Sequence, residues 1–204
     1  MSAAKMSSPI EPADISLGLI AGGRATRLDG VDKAWLVRDG VPQVLRWARR
    51  FPGEHGPVLV SAHRALERYR EHGLDAVPDR RPGLGPLAAL EALAAACATP
   101  WLFTLPVDVI GVNDCLLRTL VTQRGGDGAF AEDDDGPQPL VALWRREALG
   151  AACAAALDAG EGAVHRLRQR LDLHAVSFAG LRFGNLNTPE DLRAAGIDLP
   201  DAMT

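Results

Sequence analysis

Apolar and polar positions come in blocks along this chain, and the period changes from block to block. Leu17-Gly18-Leu19-Ile20 is an apolar run closed by the small residues Ala21-Gly22-Gly23, the pattern of a strand buried on both faces. A helix with a proline near its first turn is predicted over 41–50, and a short buried strand over 57–61. The polar run 65–71 reads as a surface helix stopped at Gly73, followed by a brief strand at 75–77. Pro and Gly crowd 78–86, which predicts a loop. The alanine- and leucine-rich segment 87–98 is apolar on most sides and predicts a buried helix. A central strand over 100–106 and a helix over 116–123 follow. Ala129-Phe130-Ala131 precedes the acidic turn 132–136, read as a solvated hairpin turn rather than a metal site. An apolar strand over 139–144, helices over 147–157 and 163–171, and a last strand over 174–178 complete the pattern. Thr188 fits an N-cap and Pro189 the first position of a closing helix. Strands alternating with helices predict an α/β fold of three layers, a mostly parallel central sheet with helices on both faces.

Length and composition narrow this picture. The chain has 204 residues, enough for one domain with a substantial core, expected over 15–204 behind a flexible N-terminal tail at 1–14. A net charge of −4 offers no basic face for a nucleic-acid polymer. Cys97, Cys115 and Cys153 fit neither a disulfide framework nor a zinc site and are expected to be reduced core residues. The first residues lack the apolar centre of a secretory signal, and no run approaches the ~18 apolar residues of a membrane span. A cytoplasmic protein away from membranes is the expectation.

The candidate chemistry lies where such folds bind ligands, at the carboxyl ends of the strands. Gly22-Gly23 allows close backbone approach after the first strand, and Arg24, Arg27 and Lys33 follow within one loop. Free backbone N–H groups beside fixed cations make an anion pocket suited to a polyphosphate. The segment is neither a P-loop nor a Gly-x-Gly-x-x-Gly turn. Asp108 stands just past the central strand, where a carboxylate could hold Mg²⁺ against phosphates, and Asp79 belongs to the same edge. The scattered histidines supply no nucleophile pattern and no zinc spacing. Arg166, Arg168 and Arg170 around His165 read as a solvated face.

The whole opening string, Leu-Ile-Ala-Gly-Gly-x-x-x-Arg-Leu-x-Gly-x-Asp-Lys over 19–33, resembles the signature of the molybdenum cofactor guanylyltransferase (MobA) family of nucleotidyltransferases. Further segments in the same order are similar to that family: Val77-Pro78-Asp79 with Gly85-Pro86-Leu87, Leu105-Pro106-Val107-Asp108, Gln138-Pro139-Leu140-Val141-Ala142-Leu143, and Asn185-Leu186-Asn187-Thr188-Pro189-Glu190-Asp191-Leu192. The resemblance implies a Rossmann-like nucleotidyltransferase fold and transfer of GMP from GTP to molybdopterin with release of pyrophosphate. It implies that Leu19, Ala21, Gly22 and Gly23 cradle the nucleotide and that Arg27, Lys33 and Asp108 carry catalysis. Lys33 would neutralise phosphate, Asp79 would contact the nucleoside, Asp108 would hold Mg²⁺, and Asn185 and Asn187 would face the second substrate. Transient contacts with cofactor-insertion proteins belong to the same expectation.

Departures from the family pattern keep two alternatives open. Asp29 replaces a loop glycine, Val109-Ile110 alter the segment after Asp108, Ser61 and His63 stand where asparagines are usual, and Gly162-Ala163 replace a basic place. One alternative is the sister molybdenum cofactor cytidylyltransferase, against which Asp32-Lys33 and Asn185-Leu186-Asn187 speak. The other is a homologue that binds nucleotide or a partner without turnover.

Overall fold

The opening apolar run becomes strand β1, Ile15–Ile20, with every residue buried, as a strand between two parallel neighbours must be. The computed structural model describes residues 9–22 and 32–197. A 3₁₀ turn at Lys33–Trp35 leads to the two-residue strands β2 (Val37–Arg38) and β3 (Val41–Pro42), then helix α1 (Gln43–Ala48). The chain continues through β4 (Val58–Ser61), α2 (Leu66–Glu71), β5 (Asp75–Val77), α3 (Pro86–Ala96), β6 (Trp101–Pro106) and α4 (Leu116–Gln123). It ends with β7 (Gly128–Asp133), β8 (Gly136–Arg145), α5 (Arg146–Asp158), a 3₁₀ turn at Val164–Gln169, β9 (Leu173–Ser177) and α6 (Pro189–Ala194).

The main sheet has seven strands in the order β5-β4-β1-β6-β8-β7-β9. β1 pairs in parallel with β4 and β6, β4 with β5, and β7 with β9, while β8 runs antiparallel to both of its neighbours. Every strand of this sheet except β8 therefore ends at the same edge. The mostly parallel sheet with helices on both faces agrees with the expectation.

Period-two alternation splits the core in two. Leu17, Leu19, Phe103 and Leu105 pack on one face with Val44 and Trp47 of α1 and Leu116 and Leu120 of α4. Ile20, Leu102 and Trp144 face the other way, against Leu87, Leu90 and Leu93 of α3 and Cys153 and Ala156 of α5. A small third cluster joins Leu36 to Leu186, Leu192, Ala195 and Ile197, so the segment 186–197 is pinned beside the one that follows Lys33.

Several expected elements differ in detail. The helix predicted from 41 starts at Gln43, because Val41–Pro42 folds back on Val37–Arg38 as an antiparallel pair. The helix predicted over 163–171 is a 3₁₀ turn whose buried residues are Val164 and Leu167, a three-residue spacing that a three-per-turn helix brings to one side. Residues 12–14, assigned above to the tail, form a 3₁₀ turn with Glu11 and Asp14 bonding reciprocally at its start, and Ile10 packs against the first core cluster. Residues 1–8 lie outside the described residues. Cys97 and Cys153 are buried free thiols, but Cys115 is exposed beside α4. Among the described residues no helix is long and apolar enough to cross a membrane.

Candidate functional site

β1 and β6 end side by side, and each delivers one part of a polar cluster. Past β6 the chain alternates Val107, buried, Asp108, partly exposed, and Val109, buried. The two valines anchor in the core and leave the carboxylate facing outward. Lys33 reaches it from the 3₁₀ turn after β1, its Nζ 2.7 Å from Asp108 Oδ2. The same ammonium donates to Asn187 Oδ1 at 2.8 Å. An ammonium has three N–H donors, so among the described residues one has no partner.

Each arm of this cluster is held by its own local structure. Asp32 caps the turn by accepting from the Ala34 N–H at 3.1 Å. Burial raises the Asp32 carboxyl pKa, against the opposing bond from Ala34 and the charges of Arg68 and Arg64. Trp35 is 8 % exposed, its ring tilted 50° against the Tyr69 ring at 4.9 Å with the Arg68 guanidinium 4.0 Å above it. The Lys33 turn is thus wedged against α2. On the other side Val109 pairs with Asn185, the Ile110 N–H donates to Gly184 O, and the Leu186 N–H donates to Asp108 O, both at 2.9 Å. With Leu186 fully buried, the flanking Asn187 turns toward Lys33 while Asn185 stays exposed.

A second polar group sits on the other side of Gly22, at the ends of β4 and β5. The Ser61 hydroxyl donates to Asp79 Oδ1 at 3.1 Å, and His63 Nε2 stands 3.0 Å from Asp79 Oδ2. Burial pushes the Asp79 carboxyl up, opposed by the His63 charge and the Ser61 bond. A Cβ added at Gly22 would meet the His63 ring at 3.0 Å. Gly22 thus serves close approach to the His63 ring rather than an unusual φ.

Two acidic residues outside these clusters position the asparagine segment. Asp191 Oδ2 accepts from the Asn187 and Thr188 N–H groups at 3.0 and 2.8 Å, while the Thr188 hydroxyl accepts from the Asp191 N–H at 3.1 Å, a complete capping box. Bonds from Asn187 and then Thr188 hold the Asp191 carboxyl below its ordinary range. Asp133, at the end of β7, accepts from the Phe183 N–H, the Gln138 amide and the Asp135 N–H. Its burial favours the neutral acid, but these bonds outweigh burial and lower its pKa. A lowered folded pKa gives stability that is present above the unfolded value, near 3.8, and lost as pH falls through the folded one. Acid unfolding followed below pH 4 should therefore be shallower in Asp133→Asn than in the parent chain.

The residues named from the sequence are thus distributed unevenly. Lys33, Asp108 and Asn187 converge; Asn185 lies in the adjoining segment, exposed; Ala21 donates to Ser61 O at 2.9 Å as β1 ends. Leu19 is 0 % exposed as a whole residue, within the first core cluster and between Val60 and Leu105 in the sheet. The Asp79 side chain is 3 % exposed under His63, which is 41 % exposed. Gly23 and Arg27, with Arg24 and Asp29, lie outside the described residues. The acidic run is a hairpin turn in which Asp133 pairs with Gly136, and among the described residues no three metal-ligating side chains converge. Arg166, Arg168 and Arg170 are exposed, with Arg168 lying 4.5 Å over Phe130. Asp133 and Asp191 were not foreseen; the Thr-Pro-Glu-Asp string, with an acid three residues after the cap, carried the signal for Asp191.

Comparison with known proteins shows the family. The model of the MobA-like NTP transferase domain matches residues 18–175. A protein of Burkholderia vietnamiensis named molybdenum cofactor guanylyltransferase is 36% identical over 203 residues, covering 93% of this chain and 98% of that protein. One of the same name from Cupriavidus taiwanensis is 31% identical over 195 residues, covering 89% and 96%. Among solved structures, molybdopterin-guanine dinucleotide biosynthesis protein A of Archaeoglobus fulgidus superposes with a TM-score of 0.69 at 18% identity, covering 89% of this chain and 96% of that one. A Mycobacterium tuberculosis protein solved in complex with manganese gives 0.64 at 18%, covering 90% and 98%. With its motifs, sheet order and near-full-length likeness in agreement, the chain belongs to the MobA-like NTP transferase family.

Proposed function

We propose that this chain transfers GMP from GTP to the terminal phosphate of molybdopterin. A phosphate oxygen of molybdopterin attacks the α-phosphorus of GTP, the bond to the β-phosphate oxygen breaks, and pyrophosphate leaves with the electron pair. The observation that carries the reading is the Lys33 ammonium, held between Asp108 and Asn187 beside the end of β1. It is supported by relatives of that name at 31% and 36% identity over almost the whole chain.

The attacking group is already an anion, so no general base is needed. The protein's work is in-line positioning and balance of charge. Lys33 supplies a compact cation to the phosphates, while Asn187 holds the lysine from the side of the second substrate. Asp108 Oδ2 is taken by Lys33, and Oδ1 has no partner among the described residues. One free carboxylate oxygen beside a phosphate site fits Mg²⁺, which keeps several waters and takes few protein ligands. Bound there by Asp108, the metal would neutralise charge developing on the phosphates. The buried free thiols Cys97 and Cys153 suit a reducing cytoplasm. Contacts with cofactor-insertion proteins would serve to pass on a labile product.

Thermal unfolding with Mg²⁺ and GTP, CTP, ATP or UTP in parallel tests this reading. A ligand that binds only the folded chain stabilises it by about 2.7 kcal/mol at a hundredfold excess over Kd. The expected result is a rise in Tm with GTP alone that disappears without Mg²⁺. A rise with CTP alone would move the assignment to cytidylyl transfer, and no rise with any nucleotide would favour a homologue without turnover.

A further inference from the structure

We propose that Arg68 is a positioning residue of the reaction: lying on the Trp35 ring, it fixes the turn that presents Lys33 to the phosphates. This rests on the nucleotide-transfer reading above. Lys33 and Trp35 are the first and last residues of one three-residue 3₁₀ turn. A 3₁₀ helix has three residues per revolution, so the direction of the indole sets the direction in which the lysine leaves. Asp108 and Asn187 hold the head of the lysine at 2.7 and 2.8 Å. Its root depends on the turn.

Three side chains of α2 cover the indole. The Arg68 guanidinium lies 4.0 Å from the ring centre, the Tyr69 ring 4.9 Å away and the His72 ring 5.2 Å away. Tyr69 is a core residue, whereas Arg68 and His72 are exposed and shield the buried indole from solvent. No polar anchor orients the ring. The Tyr69 hydroxyl feels the indole N–H without completing a hydrogen bond, and Nε1 stays buried with no partner among the described residues. The contacts on its faces therefore carry its orientation, and an indole is the best ring for a cation to lie on. The same guanidinium acts on the other end of the turn. Burial pushes the Asp32 carboxyl pKa up, and after the Ala34 bond it is the charge of Arg68, with that of Arg64, that opposes the rise. Arg68 thus favours the charged cap at residue 32 and the seated ring at residue 35, with Lys33 between them. Among the described residues it makes no salt bridge that would hold it elsewhere.

The test is a double-mutant cycle between residues 68 and 33. It is read as Kd for inorganic triphosphate with Mg²⁺ and as the single-turnover rate with GTP and molybdopterin, with thermal unfolding as a check on folding. Arg68→Ala, at an exposed position, should weaken triphosphate binding about fivefold, the upper end for an exposed cation–π contact, and slow turnover by a similar factor. Arg68→Lys keeps a cation over the ring and should recover part of both. Arg64→Ala removes a neighbouring charge but no ring contact, and should stay within about 1.5-fold of the parent chain. In the Lys33→Ala background Arg68→Ala should also change either readout by no more than about 1.5-fold, because residues that act through one group are not additive. A loss in Arg68→Ala that persists in full without Lys33 would mean that the guanidinium meets the phosphates itself. No loss, an equal loss in Arg64→Ala, or a loss that tracks a fall in Tm and is not recovered by Arg68→Lys would equally overturn the positioning role. Each of these results leaves nucleotide transfer intact, provided the parent chain turns over GTP. A parent chain that binds neither triphosphate nor GTP would overturn both.

Discussion

Asp108→Ala should lower Mg²⁺-dependent turnover by about 10²–10³-fold, the range seen when one group that stabilises developing charge is removed. The loss should appear in kcat and, because Asp108 would hold the Mg²⁺ on which nucleotide binding is expected to depend, in nucleotide affinity as well. Folding should be nearly unaffected. The Lys33–Asp108 pair is partly exposed, at 18% and 23% of the two side chains, and such ion pairs contribute little to stability. Lys33→Ala should cost a similar factor, and the double variant much less than the product of the two, since both act on one charge distribution. Single-turnover kinetics beside thermal unfolding separates these outcomes. A large fall in Tm with proportionate loss of activity would instead make the pair structural.

Gly111→Ala should be the most damaging of the conservative changes near the site. Gly111 has φ +78, and a Cβ there would lie 2.3 Å from the carbonyl oxygen of Arg182. Left-handed φ costs a residue with a side chain roughly 1–2 kcal/mol, and the clash adds to it because its partner is backbone. Relief requires the segment 182–184 to move away from the loop after Asp108. That segment carries the Ile110–Gly184 bond and the Val109–Asn185 pair, so Asn187 would leave Lys33 as well. We expect a loss of about 2–4 kcal/mol in urea unfolding, together with a fall in kcat at temperatures where the variant remains folded. A variant with parental stability and full turnover would show that the two loops are not coupled.

The fold was largely readable because its strands obey simple patterns. The runs at 17–20 and 101–106 are apolar apart from Thr104, as strands between two covered faces are expected to be. Thr188-Pro189 marked the last helix because a cap and a proline act locally. What escaped the sequence depends on tertiary partners. Nothing in 163–171 says that only one turn-side packs on the sheet, and nothing at Val41–Pro42 shows the pairing with Val37–Arg38. In the site, Lys33, Asp108 and Asn187 were visible as types at motif positions. Their union was not, since it joins points 75 and 154 residues apart. The covering of Asp79 by His63 was also hidden, because burial of a polar residue is set by its neighbours in space. Asp133 reads as one of several solvated acids in the sequence; its burial and its donors Phe183, Gln138 and Asp135 set it apart from the exposed Asp134.

The most direct measurement is a defined turnover assay with molybdopterin, Mg²⁺ and each nucleoside triphosphate, following pyrophosphate release and the dinucleotide product together. The account predicts release and product in equal amounts with GTP, little with CTP, and loss of both in Asp108→Ala. Pyrophosphate release without a guanine dinucleotide, or product formed equally well by Asp108→Ala, would contradict it.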